Sequence, residues 1–234
     1  LGFVLSGLSY ALLWNQTYPF GFSVPPVNQQ SVLLWLLTPL TLTGVASSSS
    51  QPRRKQAASF SIAALGLVQL LTLALPGTRL VSLGIATALM WVNTRYLQKL
   101  AAAAITVGFG LVWVGMLLWE GIPGVLQLSE PDWFLVGAIA ILLLWLLRSW
   151  LLPRNGTLAA LYAKASDRWA VALCRFELLV LTLHSIVVYA QSNEALLNHF
   201  PGWKYLIACC LIIVANLYRQ WQQPTNWGIY VISW

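Results

Sequence analysis

Residues 100–119 read LAAAAITVGFGLVWVGMLLW, twenty consecutive positions without an Asp, Glu, Lys or Arg. A helix of that length rises about 30 Å, the thickness of the hydrocarbon core of a bilayer. The run is continuous and does not alternate, so it does not read as a strand of an outer-membrane barrel. The whole chain shares this character: of 234 residues, 59% are hydrophobic and 8% charged, where soluble domains carry roughly a quarter charged. So few charges cannot cover a water-facing surface of this size. The sequence reads as an all-α, polytopic transmembrane helical bundle.

The same ruler gives a partial span at 1–14, spans near 31–46, 57–75, 80–94, 100–119, 133–151, 169–190 and 203–218, and a last one starting near 227. That makes about eight or nine spans with the first and last truncated, in one transmembrane domain over 1–234. The chain starts LGFVLSGLSYALLW, without an initiator Met or a basic leader, and stops at NWGIYVISW inside a new apolar stretch. It therefore reads as a fragment of a longer protein and not as a signal-peptide start. Between spans, ASSSSQPRRKQ (46–56) is a polar linker and PGT (76–78) predicts a tight hairpin. Pro39, in TPLTLTG, predicts a kink, with Thr38, Thr41 and Thr43 placed to satisfy freed carbonyls. The segment 157–168, TLAALYAKASDR, is too polar to span. It reads as a short amphipathic helix on the interface or as a plain loop.

Charge sets the orientation. Thirteen Lys and Arg stand against six Asp and Glu, a formal net charge of +7. If Arg53, Arg54 and Lys55 face the cytoplasm, strict alternation sends Arg95, Lys99, Arg148, Arg154, Lys164, Arg168 and Arg219 there too. The other side receives Arg79 and Lys204 with Glu120, Glu130, Asp132 and Glu194. That asymmetry is the one that orients membrane proteins, so the SSSSQPRRK loop and the N-terminus read as cytoplasmic. Many of the 13 tryptophans fall at span ends, as an interfacial aromatic belt requires. A basic face with interleaved aromatics outside the spans is missing, so nucleic acid is not an expected partner.

Two features speak of packing. Ala101, Ala104, Gly108 and Gly115 form one helical stripe of small residues, and Gly84 and Ala88 repeat the spacing one span earlier. In lipid, helices associate through such close backbone approach, within a chain or with another subunit. Cys174, Cys209 and Cys210 lie in apolar runs without metal-ligand spacing, so no metal site is expected.

The run 169–190 carries the residues that least suit hydrocarbon: Arg175, Glu177 and His184. Glu177, Leu181 and His184 are spaced i, i+4, i+7 and share a helix face, whereas Arg175 points elsewhere. Arg175 lies about 9 Å from the basic end and can snorkel to it. A short, deep carboxylate cannot do so, and Glu177 must be neutral or partnered. Glu177 and His184 together offer proton transfer, ion binding, or ligation of a pigment or haem by His184. Against that stands a purely structural role, in which each is satisfied by a neighbouring span or carbonyl. A nucleophile elbow, a phosphate loop and a zinc-protease helix are absent from the sequence.

The stretches VNTRYLQKLAAAAITVGFGL (92–111), LLWEGIPGV (117–125) and RQWQQPTNWGIY (219–230) resemble large multi-pass membrane proteins of cyanobacteria. The resemblance implies a thylakoid or plasma-membrane setting and carries over no functional residues.

The sequence points first to a non-catalytic integral membrane protein, an accessory, assembly or scaffold subunit that meets lipid and other membrane subunits. The alternative is a transporter or channel for a small solute or proton, built on Glu177 and His184. A third class is a membrane enzyme whose active residues lie outside this segment.

Overall fold

The computed structural model of the chain describes residues 29–72, 76–120, 128–191 and 202–224. The regular structure in them is helical. A 3-10 helix over Gln29–Leu36 leads into α1 (Leu37–Ser48), α2 (Gln51–Thr72), α3 (Pro76–Leu97), α4 (Leu100–Glu120), α5 (Glu130–Leu151), α6 (Thr157–Gln191) and α7 (Gly202–Gln222). The chain divides into two compact units, Leu1–Leu97 and Gln98–Trp234.

Four helices contain a segment long and apolar enough to cross a bilayer: Leu100–Glu120, Pro131–Leu151, Thr157–Val187 and Gly202–Gln222. The chain is an α-helical integral membrane protein. The expected count of eight or nine spans is not supported. The expected partial spans at 1–14 and beyond 227, and the end of the one at 57–75, lie outside the described residues, and the described parts of the segments at 31–46, 57–75 and 80–94 are not among the four. The first unit shows why. Its apolar Leu33–Ser48 helix is short, while α2 and α3 bury Ser61, Gln69, Thr72, Ser82, Asn93 and Thr94 within their length.

Several of those buried polar groups pair with one another, although Gln69 Oε1 meets no partner among the described residues. The Asn93 amide donates to Ser61 Oγ at 3.0 Å and to Thr43 Oγ1 at 3.2 Å, which joins α1, α2 and α3. Thr43 and Ser61 also donate to the Pro39 carbonyl, at 2.8 and 3.0 Å. A second cluster joins α2 to α3, where Gln69 Nε2 donates to Ser82 Oγ at 2.7 Å and the Thr72 and Ser82 hydroxyls are 2.8 Å apart. Neutral groups that satisfy each other avoid the cost of burying an unmade hydrogen bond.

Three local expectations change. Pro39 stands in the first turn of α1, three residues after the switch from 3-10 to α-helix, so the change of helix type falls where its N–H is missing. Pro76 opens α3 and is not a turn residue. The polar linker is also shorter than expected, because Arg53, Arg54 and Lys55 already belong to the first turns of α2. Cations there oppose the helix dipole, and the Arg54 guanidinium compensates by lying 5.5 Å from the Tyr96 ring centre.

In the second unit α5 packs on α6 and α7, and α4 packs on α6. The core between α5, α6 and α7 holds Ala138, Ile141, Trp145, Cys174, Ile212 and Ala215. Alternating direction brings the start of α5 beside the start of α7, and the end of α5 beside the early turns of α6. Ser129 and Asp132 form a capping box at the start of α5, with a Pro in its first turn. Residues 157–168 are helical and continuous with the span that follows, so α6 runs unbroken for 35 residues.

Candidate functional site

The site is built from α5, α6 and α7, between two layers of ion pairs. At one end Asp167 of α6 receives two arginines. Arg219 of α7 donates from Nε to Oδ1 at 3.0 Å and from Nη2 to Oδ2 at 3.4 Å, and Arg148 of α5 brings its Nε to 3.8 Å from Oδ1. The Trp145 indole donates to the same Oδ1 at 3.2 Å. Gln222 Oε1 accepts from Arg148 Nη1 at 3.3 Å and from Ser149 Oγ at 2.9 Å. Arg148 is 4% exposed and Asp167 23%, so one half-shielded carboxylate neutralises a buried guanidinium and shares a second. At the other end Lys204 Nζ lies 2.6 Å from Asp132 Oδ1. Asp132 and Arg148 are sixteen residues apart on α5, which sets the two layers about 24 Å apart along the helix axis.

Glu177 lies between these layers. It is 6% exposed, and among the described residues neither carboxylate oxygen meets a hydrogen-bond partner. The nearest backbone donor, the N–H of Ala138 in mid-helix, does not reach bonding geometry. The carboxylate instead rests on α5 where Gly137 has no side chain. A Cβ at Gly137 would stand 2.8 Å from Oε2 and 3.0 Å from Cδ, so an added methyl group would have to push aside the end of this flexible side chain. Here a glycine is needed for close approach and not for its backbone freedom.

Toward the Asp132–Lys204 end, the His184 ring stacks on Tyr205 of α7, with centres 5.2 Å apart and planes 14° from parallel. Phe134 of α5 closes the cluster, 5.1 Å from Tyr205 and 6.2 Å from His184. Toward the Arg148–Asp167–Arg219 end, the buried Asn216 amide donates to Cys174 Sγ at 3.3 Å and to the Ile212 carbonyl at 2.8 Å. Glu177 and His184 thus share one face of α6, directed at α5 and α7. Arg175 lies on the exposed face of the same helix.

The small-residue stripe of α4 receives an indole. Trp169 of α6 donates from Nε1 to the Ala104 carbonyl at 2.7 Å, and its six-membered ring covers Gly108, where a Cβ would stand 2.6 Å from Cζ2. Gly115 faces open space and Ala101 is exposed. In the first unit Gly84 is half-buried and Ala88 exposed.

Sequence reasoning singled out Glu177 and His184 but missed Gly137, Asp167, Trp145 and Asn216. Gly137 carries no spacing signal of its own, and Asp167 belongs to a segment read as an interfacial helix or loop. No group of three or more His, Cys, Asp or Glu comes together among the described residues. Comparison of the chain with protein-family models, with curated proteins and with solved structures returned no match.

Chemically, the arrangement buries one carboxyl group against α5 with no hydrogen-bond partner among the described residues. An ionised carboxylate so buried would cost about 3 kcal/mol or more without a counter-charge.

Proposed function

We propose that the chain is a non-catalytic accessory or scaffold subunit of a larger membrane assembly. The observation that supports this most is the fastening of the second unit. Ion pairs join α5, α6 and α7 at one end and α5 to α7 at the other, and the Trp169 indole latches α6 to α4. A bundle fastened this way presents fixed outer faces, which suits a part that other membrane subunits assemble upon. The test is purification in mild detergent after cross-linking in the native membrane, with mass spectrometry of the captured chains. Reproducible membrane partners are expected. A solitary protein whose solute flux collapses in Glu177→Gln would overturn the scaffold reading.

A second reading is favoured by Glu177 itself. A buried, donor-free carboxyl is expensive to keep unless it is used, and its position on one face with His184 supports a pathway for protons or a small solute. Flux through liposomes holding wild type or Glu177→Gln separates the two.

Orientation and setting belong to the same proposal. The basic triplet Arg53, Arg54 and Lys55 persists at a helix start where the dipole disfavours it. That supports a topogenic role and a cytoplasmic SSSSQPRRK loop. The inward-facing, largely self-paired polar groups of α2 and α3 support reading these helices as further membrane-embedded segments, and the resemblance noted above supports a cyanobacterial plasma or thylakoid membrane. Labelling of single cysteines introduced at Ser49 and Arg154 from either side of sealed vesicles tests the orientation.

A further inference from the structure

We propose that the basic end of the first unit binds an anionic phospholipid, with the lipid phosphate at Arg54 and an acyl chain along α2. This rests on the reading of α2 and α3 as membrane-embedded segments and names the class of lipid they select.

The charge of this unit has no internal counterpart. Leu1–Leu97 carries Arg53, Arg54, Lys55, Arg79 and Arg95 and not one Asp or Glu. Four of these cations gather at one end, because the Arg54 guanidinium at the start of α2 lies 5.5 Å from the Tyr96 ring centre at the end of α3. Arg54 is half-buried, and its Nε, shut off from solvent, meets no hydrogen-bond partner among the described residues. Of the six acids in the chain, the one that loop alternation sends to the basic side, Asp167, is engaged by Arg148 and Arg219. The positive end of the α2 dipole adds to the same field. An outside anion is what offsets this excess.

Two observations make that anion a lipid headgroup. The first is depth. The Arg95 guanidinium lies 3.6 Å over the Trp91 ring, which is 47% exposed, and an exposed indole belongs at the headgroup level. Arg95 is thus held at the height of lipid phosphates. The second is the surface that continues from the cations. Arg53, Gln56, Phe60, Ala63, Leu67 and Leu70 follow one another at alternate steps of three and four, which makes them a single stripe of α2, and all are exposed. The stripe passes from charged to polar to apolar within two turns. From Phe60 to Leu70 it rises about 15 Å, half of a hydrocarbon core of roughly 30 Å and so the reach of one leaflet's acyl chains. A free phosphate would use the cations and leave the apolar stripe idle, whereas a phospholipid uses both. A cluster of four basic residues beside a membrane segment is enough to select anionic lipid. A zwitterionic headgroup brings its own cation to a site with no carboxylate to receive it.

The test places the full chain in phosphatidylcholine nanodiscs with a trace of phosphatidylglycerol that carries a photoactivatable diazirine in its acyl chain. A matched phosphatidylcholine probe runs in parallel, and peptide mass mapping reads the labelled residues. The phosphatidylglycerol probe is expected to label the stripe from Phe60 to Leu70 about tenfold more than the phosphatidylcholine probe. Arg54→Gln should cut that preference about fivefold, the effect of one cation near a membrane surface, and Arg54→Lys should keep most of it. Arg53 and Arg95 are exposed, so Arg53→Gln and Arg95→Gln carry the same test if Arg54→Gln fails to fold. Equal labelling of the stripe by the two probes overturns the proposal and leaves α2 embedded in lipid. A stripe that neither probe labels overturns the proposal and the embedded reading together. Displacement of the phosphatidylglycerol probe by free glycerol phosphate assigns the cations to a soluble anion and likewise overturns the proposal.

Discussion

The carboxylate of Glu177 occupies the space that a side chain would fill at Gly137, seated against the backbone of the neighbouring helix. The two positions are therefore coupled: neither can change without the other being felt. Gly137→Ala should cost about 1 kcal/mol, the low end for overpacking, because the group it meets is the far end of a flexible side chain, and much of that should return when Glu177 is also cut to Ala. Thermal unfolding in detergent measures both. Gly115→Ala is the control, since an added Cβ there meets nothing within 4 Å, and it should be neutral or gain up to about 1 kcal/mol in helix propensity.

Asp167 should be the most sensitive charge in the second unit. Asp167→Asn leaves Arg148 and Arg219 without their shared counter-ion, and Arg148 is buried. Loss of one member of a buried pair costs about 3–5 kcal/mol, here toward the lower figure because Asp167 is 23% exposed. Arg148→Met should cost less, because it removes the buried charge together with its need for a partner. An Asp167→Asn protein as stable as wild type in denaturant titration would show that this end is not held by charge.

The Trp169 latch separates into a bond and a fit. Trp169→Phe removes the 2.7 Å bond to the Ala104 carbonyl and should cost about 1 kcal/mol. Gly108→Ala should cost more, because the new methyl group meets the indole ring, which α6 and α4 hold from both sides. Unfolding titrations of the two variants should rank in that order.

In the first unit, Asn93→Leu should destabilise by about 1–3 kcal/mol, since the Thr43 and Ser61 hydroxyls lose their donor while remaining buried. Proteolysis at the Ser49–Ser50 junction and the basic first turns of α2 should quicken in parallel. Unchanged cleavage would mean that the three hydroxyl and amide groups do not hold α1, α2 and α3 together.

Much of this architecture was legible because membrane helices are written in composition. The runs at 100–119, 133–151, 169–190 and 203–218 each fall within a helix that qualifies as a span, for the reason that lipid rewards uninterrupted apolar length. The site was half legible. Glu177 and His184 stood out as misfits in hydrocarbon, and helical spacing put them on one face. Their surroundings were not legible, because Gly137 matters only through a residue forty positions later, and no local pattern encodes which helix a carboxylate will meet. Asp167 was hidden for a similar reason: in sequence it is one acid in a mixed polar segment, and its role comes from arginines on two other helices. In the first unit the runs at 57–75 and 80–94 were read from apolar length alone, and the polar groups that the fold turns inward there were not legible as partners.

The separation of the two charged layers has a consequence for the lipid around them. Asp132 with Lys204 and Asp167 with its arginines seek the headgroup level, yet they stand only about 24 Å apart along α5, against roughly 30 Å for a typical hydrocarbon core. The second unit thus carries a built-in gauge of bilayer thickness. Thin membranes fit it without strain, and in thick ones the surrounding lipid must compress or the helices stand more upright to keep both layers wet.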